Sequence, residues 1–151
     1  MSTAAFSFAR HLGCPSITLI GHDLALTNNQ LYAEGSSDGS ATLAFDGDTF
    51  WLSAIPDLDA ARARRGIATP EIKTDQSVWV RSAGGGSVRT TARFLLTKDW
   101  LEYQAQQAKE IVLTNATEGG AYLEGWNHRA LSEILMHVSS AGESVSLRLS
   151  Q

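Results

Sequence analysis

Short apolar runs separated by turn-forming residues make up the first two thirds of the chain. Residues 16–20 (SITLI) lie between a proline and a glycine and predict a strand, and residues 30–35 predict a weaker one. A loop of small polar residues follows at 36–40. This front part of the chain therefore indicates β-structure joined by tight turns.

An Asp-Gly-Asp triplet at 46–48 lies between two apolar runs in the stretch ATLAFDGDTFWLSAI. Pairing Phe45 with Phe50 sets Leu43 opposite Leu52, so one face of a hairpin would be apolar. A tighter two-residue turn at 46–47 would shift the register by two and keep the same faces. Glycine tolerates positive φ and aspartate bonds its own backbone, as a hairpin turn requires. A calcium loop needs further oxygen ligands at defined spacing, and the residues after the triplet supply none. The sequence predicts a turn here and no metal site.

A second hairpin is predicted from residues 77–82 and 87–96, which flank glycines 84–86. The favoured register sets Arg81 opposite Arg89, with Trp79 and Arg93 on the same face and an apolar face behind them. Like charges paired across strands cost stability. In this register Arg89→Glu would relieve a repulsion in the isolated chain. It would also disrupt association with an acidic partner if these arginines form a binding face.

The rest of the chain alternates between helical and extended patterns. Helices are predicted by residues 56–66, 97–109 and 123–138, and strands by residues 110–114 and 144–150. The alternation at the back is typical of crossover units. We expect one α+β domain over residues 1–151, with a mainly antiparallel sheet of two hairpins and two helices packed on one face.

Composition excludes several classes of protein. The net charge of −4 and pI near 5.5 argue against a nucleic-acid partner. Cys14 is the only cysteine, so it can form neither an internal disulfide nor a cysteine-rich zinc site. No apolar run approaches the length of a membrane helix, and the residues before Cys14 are too polar for a signal peptide. We expect a soluble protein that is cytoplasmic or associated with a virion, with no membrane partner.

Candidate chemistry is sparse. His22 and Asp23 follow a predicted strand, where catalytic groups often lie, but no third partner is evident and no nucleophile motif occurs. Glu133 and His137 stand four residues apart on a predicted helix, which is also the spacing of an ordinary surface pair. We therefore assign no catalytic residue, no metal ligand and no cofactor.

Arginine is concentrated, because six of the nine arginines fall between positions 62 and 93. Arg81, Arg89 and Arg93 with Trp79 predict a binding face, since arginine forks suit carboxylates and stack on aromatic rings. The alternative is a solvated face whose arginines pair with nearby carboxylates.

Three function classes follow from these observations. The leading one is a non-enzymatic structural or assembly protein, a subunit of a larger protein assembly such as a virion or phage tail, that meets a protein partner or copies of itself through the arginine-lined face. The alternatives are a small binding module or inhibitor that neutralises one partner protein, and a hydrolase-type enzyme with a site around His22 and Asp23 that includes His128.

Overall fold

The computed structural model describes residues 2–30, 42–54, 60, 62–66 and 74–140. All but the first residue of the strand predicted at 30–35, the loop at 36–40 and the final strand at 144–150 lie outside the described residues. In chain order the elements are α1 (Ser2–His11), β1 (Ser16–Leu19), a 3₁₀ turn (Thr27–Asn29), β2 (Thr42–Asp46), β3 (Thr49–Ala54), β4 (Thr74–Arg81), β5 (Ser87–Thr91), α2 (Ala92–Gln107), β6 (Val112–Asn115), β7 (Asn127–His128) and α3 (Leu131–Ser140).

An antiparallel sheet in the order β2-β3-β4-β5 forms one half of the fold. The loop of residues 24–30 runs along both of its edges. The Leu26 N–H donates to the Arg89 carbonyl on β5 at 2.7 Å, and Gln30 bridges Thr42 on β2. The sheet is therefore curled, with this loop connecting its two outer strands. Leu26, Leu43 and Phe50 are buried together inside the curl, and Phe45 and Phe94 pack against them.

The first hairpin has the first of the two predicted registers from Leu43 to the turn, and a register shift follows between Leu43 and Thr42, which pairs with Ala54. Phe45 pairs with Phe50 and Leu43 with Leu52. Gly47 has φ +58°, a left-handed conformation at the first central position of the two-residue turn, which favours glycine. The interpretation of the acidic triplet as a turn is confirmed.

The second hairpin differs from its predicted register by two residues. Trp79 pairs with Arg89, and Arg81 pairs with Ser87, so the expected Arg81–Arg89 pair is wrong. The turn lies one residue earlier than predicted, at 83–85 instead of 84–86, because the Ser82 N–H bonds the Gly86 carbonyl at 3.0 Å. A shift of two preserves the faces of both strands.

The strand predicted to run to residue 96 ends at Thr91, where α2 begins. Thr91 has extended backbone angles, and its hydroxyl accepts the Phe94 N–H at 3.2 Å as a helix N-cap. Helix α2 therefore starts five residues before the predicted helix at 97–109. Arg93, which was expected on the strand beside Arg81 and Arg89, lies on this helix instead. Helix α2 packs against β4, β5 and α1.

A parallel sheet in the order β1-β6-β7 forms the other half. Its core is the buried set Phe6, Leu19, Leu101, Leu113, Leu123 and Trp126. The Phe6 ring from α1 meets Trp100 of α2 edge to face, with ring centroids 5.5 Å apart. The α+β class with two antiparallel hairpins is confirmed, and the parallel sheet is an addition to it.

The helix predicted at 123–138 is observed only from Leu131 to Ser140. Leu123 and Trp126 are buried, as their pattern implied, but they lie in an irregular segment before the helix. Gly125 has φ +79° there, and the Trp126 indole N–H donates to the Leu101 carbonyl at 3.2 Å. The spacing of the buried side chains in this segment therefore resembles a helical period, although the backbone is not helical. Leu135, an apolar residue of the predicted helix, is 55% exposed.

Part of the helix predicted at 56–66 lies within the described residues. Residues 62–64 are helical, and the turn closes with the Gly66 N–H bonded to the Ala63 carbonyl at 3.1 Å. Gly66 has φ +65°, the left-handed conformation of a glycine that ends a helix. The predicted stop at this glycine is confirmed.

Candidate functional site

A pocket of about 420 Å³ lies where the two halves of the fold meet. We call it the β1 pocket, because most of its wall is the segment 21–30 that follows β1. Ser2 of α1 and three residues of the first turns of α2 complete it: Arg93, Phe94 and Thr97. Clefts outside the carboxyl ends of parallel strands are a common place for ligand sites.

Hydrogen bonds from both halves fix the backbone of this segment. The His22 N–H donates to the Thr117 hydroxyl at 3.0 Å, and the buried Thr90 hydroxyl donates to the Leu24 carbonyl at 2.7 Å. The Ala121 N–H donates to the Asp23 carbonyl at 2.7 Å. His22 and Asp23 are thus tied to the loop after β6, and Leu24 to β5. The pocket wall is therefore held in place before any ligand arrives.

Gly120 makes the closest of these approaches. Its φ is +71°, and a Cβ built on it would overlap the Asp23 carbonyl oxygen and lie 2.5 Å from the Asp23 Cα. Backbone cannot move aside as a flexible side chain can, so only glycine fits at this crossing. The second glycine of the Gly119-Gly120 pair therefore positions the pocket.

Two opposite charges line the β1 pocket. Burial raises the pKa of the Asp23 carboxyl, and the neighbouring His22 opposes that rise. No side-chain hydrogen bond or ion pair to Asp23 or Arg93 is found in the part of the chain that the structure describes. Both charged groups are available to a ligand.

The same pocket contains a buried polar atom without a partner. Thr27 Oγ1 has no hydrogen bond in the described structure, although such atoms are bonded in most proteins. Leu24 and Asn28 beside it have φ of +48° and +54°. Left-handed backbone at residues other than glycine is concentrated at functional sites. Sequence reasoning singled out neither Thr27 nor this strain.

His128 lies in a second pocket, of about 320 Å³, with Asn115, Glu118 and Arg129. The residues that line it do not include His22 or Asp23, so the structure does not bring the three residues of the hydrolase hypothesis together. The His128 ring instead stacks on Tyr122, with ring centroids 4.3 Å apart and planes within 8°. Its Nε2 lies 3.0 Å from the Leu123 carbonyl oxygen.

Arg81 belongs to this aromatic stack. Its guanidinium lies 3.8 Å from the centroid of Tyr122. Two groups this close to one centroid cannot share a face of the ring, so Tyr122 lies between Arg81 and His128. Arg81 also pairs with Glu124 at 3.2 Å, and both side chains are about two thirds exposed (64% and 65%). The role of Tyr122 could not be seen in the sequence, because the strand-end loops bring it to Arg81.

Arg89 is engaged with the first hairpin. Its Nη1 donates to the Gly47 carbonyl at 2.7 Å and to the Ser77 hydroxyl at 2.9 Å. Its guanidinium lies 4.7 Å from the ring centroids of both Phe45 and Trp79. With a side chain only 22% exposed, Arg89 joins the two hairpins and supports the Trp79 ring.

The four residues of the predicted binding face therefore divide into three settings. Trp79 and Arg89 form one stacked pair, Arg81 lies two residues from Trp79 on the same face of β4, and Arg93 lines the β1 pocket. Trp79 is 55% exposed.

The described ranges contain neither a metal-binding cluster nor a membrane-spanning helix. No three histidine, cysteine or acidic side chains come together there in a way that could hold an ion. No helix within those ranges is long and apolar enough to cross a membrane. Comparison of the chain with models of protein families, with curated proteins and with solved structures gave no match.

Proposed function

We propose that the protein is a non-enzymatic structural or assembly protein that docks as a subunit on a protein partner through Trp79 and Arg81. One observation carries the proposal. The Trp79 ring is 55% exposed, yet the Arg89 guanidinium holds it in place from 4.7 Å away. A large aromatic side chain that is both exposed and ordered loses little entropy on binding, and tryptophan is typical of interface hot spots.

The charge of the neighbouring residues supports an acidic partner surface. Arg81 lies two residues from Trp79 on β4, so both side chains share one face. Its pair with Glu124 is exposed at both ends, and such pairs contribute little to stability. Arg81 can therefore exchange this partner for a carboxylate across an interface at low cost. Arg89 is assigned a supporting role, and Arg93 is not part of this face.

The other candidate functions differ in observable ways. A binding module or inhibitor would use the same face in a complex of fixed, small stoichiometry. The hydrolase alternative involved His128, which lies in a different pocket from His22 and Asp23. The narrower expectation of a virion or phage-tail component rests on composition alone.

The test uses Trp79→Ala and Arg81→Glu with Tyr103→Ala as the matched control, since Tyr103 on α2 is equally exposed, at 55%. A photo-crosslinking residue in place of Ser87, which is exposed and pairs with Arg81, is introduced into the full chain in its source cells, with Trp79 retained. We expect crosslinked complexes that contain an acidic protein or a second copy of this chain.

Sedimentation of the purified chain with the partner so identified should show a complex that Trp79→Ala and Arg81→Glu weaken and Tyr103→Ala leaves unchanged. A chain that stays monomeric and yields no crosslinked protein would contradict the proposal. Equal weakening by all three variants would also contradict it.

A further inference from the structure

We propose that the β1 pocket binds a small zwitterion of the free amino acid class, with its ammonium group at Asp23 and its carboxylate at Arg93. This site is separate from the docking face, because the residues that line it include neither Trp79 nor Arg81. The proposal therefore does not depend on the proposed function.

Charge is the first argument. Asp23 and Arg93 line one pocket, and neither side chain has a hydrogen bond or an ion pair among the described residues. A half-buried carboxylate without donors is costly, and an ammonium group would supply both charge and donors. Arginine in turn offers a fork that matches a carboxylate. A ligand with one charge of each sign satisfies both groups, whereas a simple anion would face the Asp23 carboxylate.

The buried hydroxyl of Thr27 is the second argument. Thr27 lines the pocket, and its Oγ1 is buried in the pocket wall without a partner in the described structure. A hydroxyl can both donate and accept, so it suits either end of a zwitterion. An unsatisfied buried group is costly, and a ligand towards which the side chain turns this hydroxyl recovers part of that cost.

Size and wall chemistry limit the ligand. Leu24, Ala25 and Phe94 give the pocket an apolar side. Its volume of about 420 Å³ is near the lower end of the range for small-molecule sites, roughly 300–1,000 Å³. A single amino acid with an apolar side chain fits these limits better than a peptide. Because both halves of the fold fix the pocket backbone, binding requires little ordering of the protein.

The probes are L-leucine and two analogues that each lack one charge. Leucinamide retains the ammonium group, and 4-methylpentanoate retains the carboxylate. Isothermal titration of the full chain should show leucine binding at least about tenfold more tightly than either analogue, which corresponds to about 1.4 kcal/mol. Equal affinity of leucine and leucinamide would reduce the site to a cation site and overturn the proposal. No heat of binding with any probe at millimolar concentration would overturn it as well.

Two variants assign the ends of the ligand. Arg93→Met should remove the advantage of leucine over leucinamide, and Asp23→Asn should remove its advantage over 4-methylpentanoate. Arg81→Met is the control, because it removes an exposed arginine outside the pocket, and leucine affinity should stay unchanged. Far-UV circular dichroism shows whether each variant is folded. If folded Arg93→Met binds leucine as the unaltered chain does, the assignment is wrong.

Discussion

Replacement of Arg89 by methionine tests how the two hairpins are joined. Methionine keeps an unbranched apolar stem but removes the guanidinium, which bonds the Gly47 carbonyl and the Ser77 hydroxyl and lies against two aromatic rings. The predicted register implied that loss of this charge would relieve a repulsion. The observed contacts imply instead that loss of the guanidinium lowers the free energy of unfolding.

The magnitude follows from the separate contacts. A hydrogen bond from a charged donor contributes about 1.5–3 kcal/mol. The Gly47 carbonyl lies in an exposed turn, where water replaces the lost donor, and Ser77 keeps its own bond to the Asp48 carbonyl at 2.9 Å. Each partly exposed cation–π contact adds about 0.5–1 kcal/mol. The ion pair to Asp48, at 3.9 Å and with Asp48 64% exposed, adds little. We expect Arg89→Met to lower the free energy of unfolding by roughly 2–4 kcal/mol.

Arg81→Met is the matched control, because it removes the same group from the same hairpin. Its exposed pair with Glu124 and its single aromatic contact should be worth about 1 kcal/mol together. Urea unfolding followed by far-UV circular dichroism measures both losses without depending on Trp79 fluorescence. If Arg81→Met costs as much as Arg89→Met, or Arg89→Met stabilises the chain, the role given to Arg89 is wrong.

Three further predictions concern single positions. Gly120→Ala should prevent stable folding or cost well over the ~1–2 kcal/mol of left-handed strain. Gly13 has a similar φ of +73° but open space around it, so Gly13→Ala should cost the strain alone. Equal melting temperatures of the two variants would contradict the close approach of Gly120 to Asp23. Leu101→Ala, at a fully buried site, should cost roughly 2–5 kcal/mol, and Leu135→Ala, at a site 55% exposed, much less in urea unfolding. Burial raises the pKa of Asp23, so this group stabilises the fold most below the ordinary aspartate pKa of about 3.9 and that contribution is lost as pH rises through the folded pKa. Asp23→Asn should remove this step from a pH series of unfolding free energies, and persistence of the step would refute its assignment.

Local rules were sufficient for the first hairpin. The alternation of apolar residues and the glycine in the turn both act within a few residues, so Phe45–Phe50 pairing could be predicted from the sequence. The second hairpin shows the limit. Several adjacent glycines permit a turn of the same length at more than one position, and only the hydrogen bond between Ser82 and Gly86 selects one. The register, and with it the Arg81–Arg89 repulsion, was therefore not determined by the pattern.

Long-range packing accounts for the remaining differences between the predicted and the observed structure. Leu123 and Trp126 are buried at a spacing that resembles a helix, but their segment is irregular because its backbone and side chains are bonded to other parts of the chain. His22 and Asp23 were recognised as a pair after a strand. Arg93 and Thr27 could not be added to them, because the β1 pocket exists only once α2 and the segment 21–30 meet.

The bridging of both sheet edges by one segment has a consequence for the rate of folding. The two hairpins are local and can form within about 1–10 μs. The bond from Thr90 to the Leu24 carbonyl joins residues 66 positions apart, and closing so long a loop costs entropy before the contact stabilises anything. We therefore expect the hairpins to form early and the docking of residues 24–30 to limit folding, with β2 and β5 open to intermolecular pairing until that step is complete.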